Sequence, residues 1–169
     1  TLTLPNENNY QSITGGSYTF SSGNGNAIVI ADAKDFSNSG QPGQQDGKDV
    51  EFTVTLTAKQ GSSGYGTITI ATPGSVVIAN NGTDTVTLTG SRADINAALA
   101  AGVTYTPAGT NLNGTIEFTV LVDDKQNGGS KLTDPNTGTA GVDGTSTVSK
   151  KLYFQPTDIN EAPGFSGLD

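Results

Sequence analysis

Apolar residues alternate with threonine or charge along most of the chain. The clearest stretches are Glu51 to Thr57 (EFTVTLT), Gly66 to Ile70 (GTITI), Asp84 to Thr89 (DTVTLT) and Thr115 to Val122 (TIEFTVLV). A period of two with β-branched residues in both phases predicts strands with one buried and one wet face. Shorter runs of the same kind cover Ser17 to Phe20, Ala27 to Ala31, Ser75 to Ala79, Val103 to Thr106 and Thr147 to Gln155. Clusters of Gly, Asn, Pro and Asp bound each run and supply turns. Many short strands with such turns predict an all-β fold, an antiparallel Greek-key β-sandwich.

One segment departs from the alternation. Ser91 to Gly102 (SRADINAALAAG) opens with a residue suited to capping, has Asp94 three positions on, and places Ile95, Ala98 and Leu99 on one face before the stop at Gly102. It predicts a short crossover helix over about 91–101 whose apolar face covers an edge or end of the sandwich.

Composition narrows the chemistry. The chain has 169 residues, enough for one domain with a sizeable core, and contains no Cys, His, Met or Trp. Thiol nucleophiles, disulfides, zinc clusters and imidazole bases are therefore excluded, and no enzymatic activity is expected. Sixteen acidic against eight basic residues give a net charge of −8. That balance, with its scattered lysines, speaks against nucleic acid, which needs a basic stripe. No run of apolar residues is long enough to predict insertion in a membrane. The chain opens without Met or a leader sequence and is expected to be a piece of a longer protein.

The acids are not evenly spread. Asp32, Asp35, Asp46 and Asp49 fall in one long stretch rich in Gly, Ser, Asn and Gln, and Asp123, Asp124, Asp134 and Asp143 in another running to about Thr145. Half of all acidic residues thus lie in two connections far longer than strands need. Clustered carboxylates repel unless a cation sits among them. Calcium suits such loops, taking roughly six to eight oxygens from Asp, Asn and backbone carbonyls. The EF-hand pattern is absent, since Asp46-Gly-Lys-Asp49 lacks the later bidentate Glu and predicted flanking helices. The plain alternative is that acidic loops keep the protein soluble.

The end of the chain carries the most specific signal. Thr157 to Phe165 (TDINEAPGF) resembles the DxNDNAPxF linker of cadherins and, more closely, the D-x-N-D-A-P end of cadherin-like repeats in giant bacterial RTX adhesins. Further matches follow in the family's order: Gly90 to Leu99 (GSRADINAAL), Val103 to Pro107 (VTYTP), Asn113 to Thr115 (NGT), Phe118 to Asp124 (FTVLVDD), Asn127 to Gly129 (NGG) and Leu132 to Asp134 (LTD). Weaker matches in Ile28 to Asp32 and Val50 to Gly61 carry the resemblance over most of the chain.

The resemblance implies a calcium-binding sandwich over 1–157 and a linker to a next domain over 158–169. It implies an upper calcium site from Asp32, Asp35, Asp49, Asp123 and Asp124, and a lower one from Asp158, Asn160, Glu161 and Asp94, shared with the following domain. Asp46, Asp134 and Asp143 are further ligand candidates from the acidic stretches themselves, and Glu7, in a segment similar to the family's early N-E-D, is another. The sequence departs from the family twice: Asp32-Ala-Lys-Asp35 is one residue longer than the cadherin DxD, and position 161 is Glu rather than Asp.

Two functions compete. One is a calcium-rigidified extender repeat flanked by others in the same chain, which the linker favours and the length of 169 residues opposes. The other is a ligand-binding module of a bacterial surface adhesin, extracellular and monomeric in isolation. It would recognise a peptide or protein on a host or neighbouring cell, including a free C-terminal carboxylate, or a glycan. Phe36, Tyr65 and Tyr105 are the candidate walls of such a site, against the plain expectation that aromatics beside strands belong to the core.

Overall fold

The computed structural model describes residues 2–14, 16–31, 51–71, 74–108, 114–123 and 147–157. The chain is all-β with a single short helix among these residues, and its sheets pack as a sandwich. The large sheet contains β2 (Tyr10–Thr14), β12 (Thr147–Thr157), β11 (Ile116–Asp123), β5 (Glu51–Gln60), β9 (Thr85–Ser91) and β8 (Val77–Ala79) in that spatial order, with β6 (Ser63–Gly64) folded back on β5. Facing it is a three-stranded sheet of β3 (Tyr18–Phe20), β10 (Val103–Thr106) and β7 (Thr67–Ile70). A short ladder joins β1 (Leu2–Thr3) to β4 (Val29–Ile30). Among the described residues all pairings are antiparallel except β2 with β12.

The alternation seen in the sequence is the alternation of faces. On β5, Phe52, Val54, Leu56 and Ala58 are buried, while Thr53, Thr55 and Thr57 look outward. The same phase holds across the sheet, where Val54 lies between Val122 and Leu88, and Leu56 between Val120 and Val86. Threonine suits the outer rows because a β-branched side chain packs well on a pleated surface while its hydroxyl meets water. From the small sheet, Phe20, Val103 and Ile70 line up as one inward row, with Tyr105 and Ile68 in the next. Tyr18, Phe20, Tyr105, Phe118 and Phe154 close into one aromatic cluster between the sheets, with ring centroids 4.9 to 6.3 Å apart.

The helix α1 (Arg92–Ala101) forms where the sequence predicts it. Ser91 Oγ accepts the Asp94 amide at 3.2 Å and donates its own proton to Asp94 Oδ2 at 2.7 Å, so cap and first turn fix one another. Ile95, Ala98 and Leu99 are buried, and α1 packs on β9, β4, β5 and β10. Gly102, at φ 150°, ends it and returns its N–H to the Ala98 carbonyl.

Three asparagines act as surrogate strand partners. Asn96 on α1 accepts the Ile30 N–H and donates to the Ile30 carbonyl, both at 2.8 Å, which completes β4 on a side where no described strand pairs with it. Asn81 does the same for Ile70 of β7, at 2.9 and 3.3 Å. Asn26 accepts the Ser21 N–H and donates to the Thr19 carbonyl, holding the excursion between β3 and β4. A primary amide presents a donor and an acceptor at the spacing of a peptide group, so it can satisfy backbone that would otherwise lose its partners.

Sequence and structure differ at the chain start and at β6. Tyr10–Thr14 buries Ile13 but exposes Tyr10, Leu2–Thr3 is too short to alternate, and Ser63–Gly64 has no apolar residue at all. None of the three carries the pattern that reveals a strand.

Candidate functional site

Register places the ends of the two acidic segments together. Asp123, the last residue of β11, faces Thr53 of β5 on one side and Thr147, the first residue of β12, on the other. Glu51 opens β5 two positions from Thr53 and faces Ser91, the residue that caps α1. Glu51 and Asp123 are therefore diagonal neighbours on the outer face, roughly 7–8 Å apart along the backbone. Ile30, held by Asn96 of α1, lies at this same end, one residue before Ala31. Residues 32–50 and 124–146 thus leave from and return to a single end of the sandwich, where Asp94 also lies.

Several proposed ligands fall outside the described residues: Asp32, Asp35, Asp46, Asp49, Asp124, Asp134, Asp143, Asp158, Asn160 and Glu161, and with them Phe36. Asp123 is described, and sits half-buried at the convergence. Asp94 lies at the end where β5 begins, whereas β12 leaves the sheet at the opposite end, at Thr157 opposite Thr14. One of its carboxylate oxygens accepts from Ser91 in the helix cap. Glu7 lies in the turn between β1 and β2, where Asn6 and Asn8 take positive φ (57° and 60°), and it is paired to Lys150.

Of the aromatic candidates, Tyr105 turns inward. Tyr105 is wholly buried in the interior cluster, and its hydroxyl donates to the Tyr65 carbonyl at 3.1 Å. Burial, with a smaller contribution from Tyr65, pushes its pKa well above the ordinary tyrosine range. Tyr65 packs against the core and donates to the Ala108 carbonyl at 2.6 Å. Next to it, Gly66 (φ 81°) runs so close to β10 that a Cβ would lie 2.4 Å from the Thr106 carbonyl oxygen. Tyr105 is thus an interior residue of β10, with the half-buried Tyr65 packed against the core beside it.

Among the described residues no group of three or more acidic, His or Cys side chains is close enough to hold a metal ion. The donor chemistry of the chain is nevertheless that of a hard cation: carboxylate, amide, hydroxyl and carbonyl oxygens, with no His or Cys. Glu51 and Asp123 are the described carboxylates at the end from which residues 32–50 and 124–146 leave and to which they return. The described helix is not long and apolar enough to cross a membrane.

The sequence signals missed the exposed counterpart of the buried aromatic cluster. On the outer face of the large sheet Tyr10 stacks on Tyr153, with ring centroids 5.3 Å apart and planes at 28°. Beside them Lys151 and Glu117 form an ion pair at 3.0 Å, and the hydrogen bond and charge of Glu117 raise the Lys151 pKa. Tyr10 lies far from Tyr153 in sequence, in a segment without alternation, so only register brings the pair together. No family model matches the chain, and neither a curated protein nor a solved structure matches it.

Proposed function

We propose that the chain is a calcium-dependent adhesion module of a bacterial surface protein, a cadherin-like sandwich of the RTX adhesin kind that works outside the cell. The observation that carries this reading is the convergence of both acidic segments on one end of the sandwich, with Glu51 and Asp123 diagonal to one another there. Seven further carboxylates from residues 32–50 and 124–146 are tethered to that end by the chain itself. Calcium held there by oxygen ligands would order the segments against the rigid sheet. A coordination position left open would accept a carboxylate or hydroxyl oxygen from a peptide, protein or glycan on another cell.

An extender role is the second reading, and a different observation supports it. Leu2 faces Ile30 at the acidic end, while Thr157 leaves from the other, so neighbouring domains would attach at opposite poles.

Thermal melting in calcium and in chelator tests the metal. A site that binds only the folded state adds about 2.7 kcal/mol at a hundredfold excess of calcium over its dissociation constant, or roughly 5–10 °C in a domain of this size. An unchanged melt would overturn the metal reading. Calcium-dependent retention on immobilised peptides with free C-termini then separates a ligand module from an extender, which should not be retained.

A further inference from the structure

We infer that the outer face of the large sheet carries a second, metal-independent binding site, for a β-linked hexopyranose of a glycan chain, with Tyr10 as its platform. Tyr10 is 61% exposed, while Tyr18, Phe20, Tyr105, Phe118 and Phe154 are drawn into the interior cluster. Tyr153 stacks on one side of its ring, and β2 takes the edge of the large sheet, so no described strand lies beyond it.

Polar groups flank this face at ladder spacing. Tyr153 faces Glu117, and Glu117 faces Lys59, so one row across four strands reads Tyr10, Tyr153, Glu117, Lys59, with Lys151 alongside. Lys151 is paired to Glu117, and Lys59 is exposed. An aromatic face beside a carboxylate and two ammonium groups is complementary to a pyranose, whose axial C–H bonds form an apolar face and whose hydroxyls form a rim of donors and acceptors.

Other occupants fit less well. Two lysines against one glutamate do not make the basic stripe that a nucleic acid requires. One exposed ring is too little apolar surface for a bilayer or for the core of a protein interface. An uncharged sugar is also the partner least affected by a net charge of −8. The row lies about 20 Å along β11 from Asp123, six residues at strand rise, so it is distinct from the acidic end.

The intact domain, in calcium buffer, is titrated with cellotetraose and with chitotetraose. Binding is read by calorimetry and by saturation transfer from protein aromatic protons to sugar ring protons. At least one sugar should bind with saturation transfer to its ring C–H protons. Tyr10→Leu should weaken that binding at least about tenfold while circular dichroism stays native. Tyr10→Trp, which keeps a flat ring, should retain it, and this variant decides the matter should Tyr10→Leu fail to fold. No binding of either sugar to the wild type, binding that Tyr10→Leu leaves unchanged, or its loss in a folded Tyr10→Trp variant would each overturn the site.

Discussion

The two ends of the large sheet are built from the same strands and differ in almost everything else. The end where β5 begins and β11 stops carries Glu51, Asp123 and Asp94, and hydrogen bonds fix the backbone there: the Ser91–Asp94 cap and the Asn96 clamp on Ile30. At the other end Phe118, Phe154 and Tyr105 fill the interior, and Tyr10 and Tyr153 stack outside. Both ends bury apolar side chains, but the aromatic rings concentrate at one and the directional polar contacts at the other, where residues 32–50 and 124–146 leave and return.

Truncation at the aromatic end should have the largest effect. Phe154→Ala removes the ring that meets Tyr18, Phe20, Tyr105 and Phe118, and should lower stability by about 3–5 kcal/mol in chemical denaturation, with or without calcium. A loss that depends on calcium would erase the distinction between the ends.

Asn96→Ala should come next. It strands the Ile30 N–H and carbonyl together and should cost about 2 kcal/mol, whereas Asn96→Asp restores only the acceptor and should recover part of that loss. Equal melting of Asn96→Ala and wild type would show that water replaces the clamp.

The smallest effect is a titration. The folded state holds the Tyr105 proton more tightly than the unfolded chain, whose tyrosines ionise near pH 10. The raised pKa therefore contributes stability that is intact below about pH 10 and is lost as pH rises beyond it. Lys151, raised by Glu117, acts in the same direction from the exposed face. In melts between about pH 8 and 11, Tyr105→Phe should start lower, having left the Tyr65 carbonyl without this donor, but should decline less steeply. An unaltered slope would remove Tyr105 as its source.

Much of this architecture is legible in the chain and some is not, for physical reasons. β5, β9 and β11 bury one face of a central strand, so their alternation is complete, and α1 announces itself through Ser91, Asp94 and Gly102. β2 lies at an edge and buries Ile13, which leaves no period to read. The asparagine clamps are invisible for another reason. Asn96 reads as an ordinary polar helix position, and its partner is 66 residues away. Tyr105 was misassigned because a tyrosine on a strand looks the same whether its ring points to the core or to a ligand. As for the candidate site, the concentration of acids was legible, while the return of both acidic segments to one end, and the place of Asp94 there, required the register of β5, β11 and β12.

The single parallel pairing has a mechanical consequence. β2 and β12 run side by side in register over five pairs, from Tyr10 with Tyr153 to Thr14 with Thr157. Tension applied through the two ends of the described chain pulls these strands in opposite directions along their shared axis. All rungs of that ladder then bear the load together in shear, whereas a hairpin pulled open at its ends gives way one rung at a time. A domain strung between a cell and its anchorage would resist a sudden tug at this seam before any other part of the large sheet was called on.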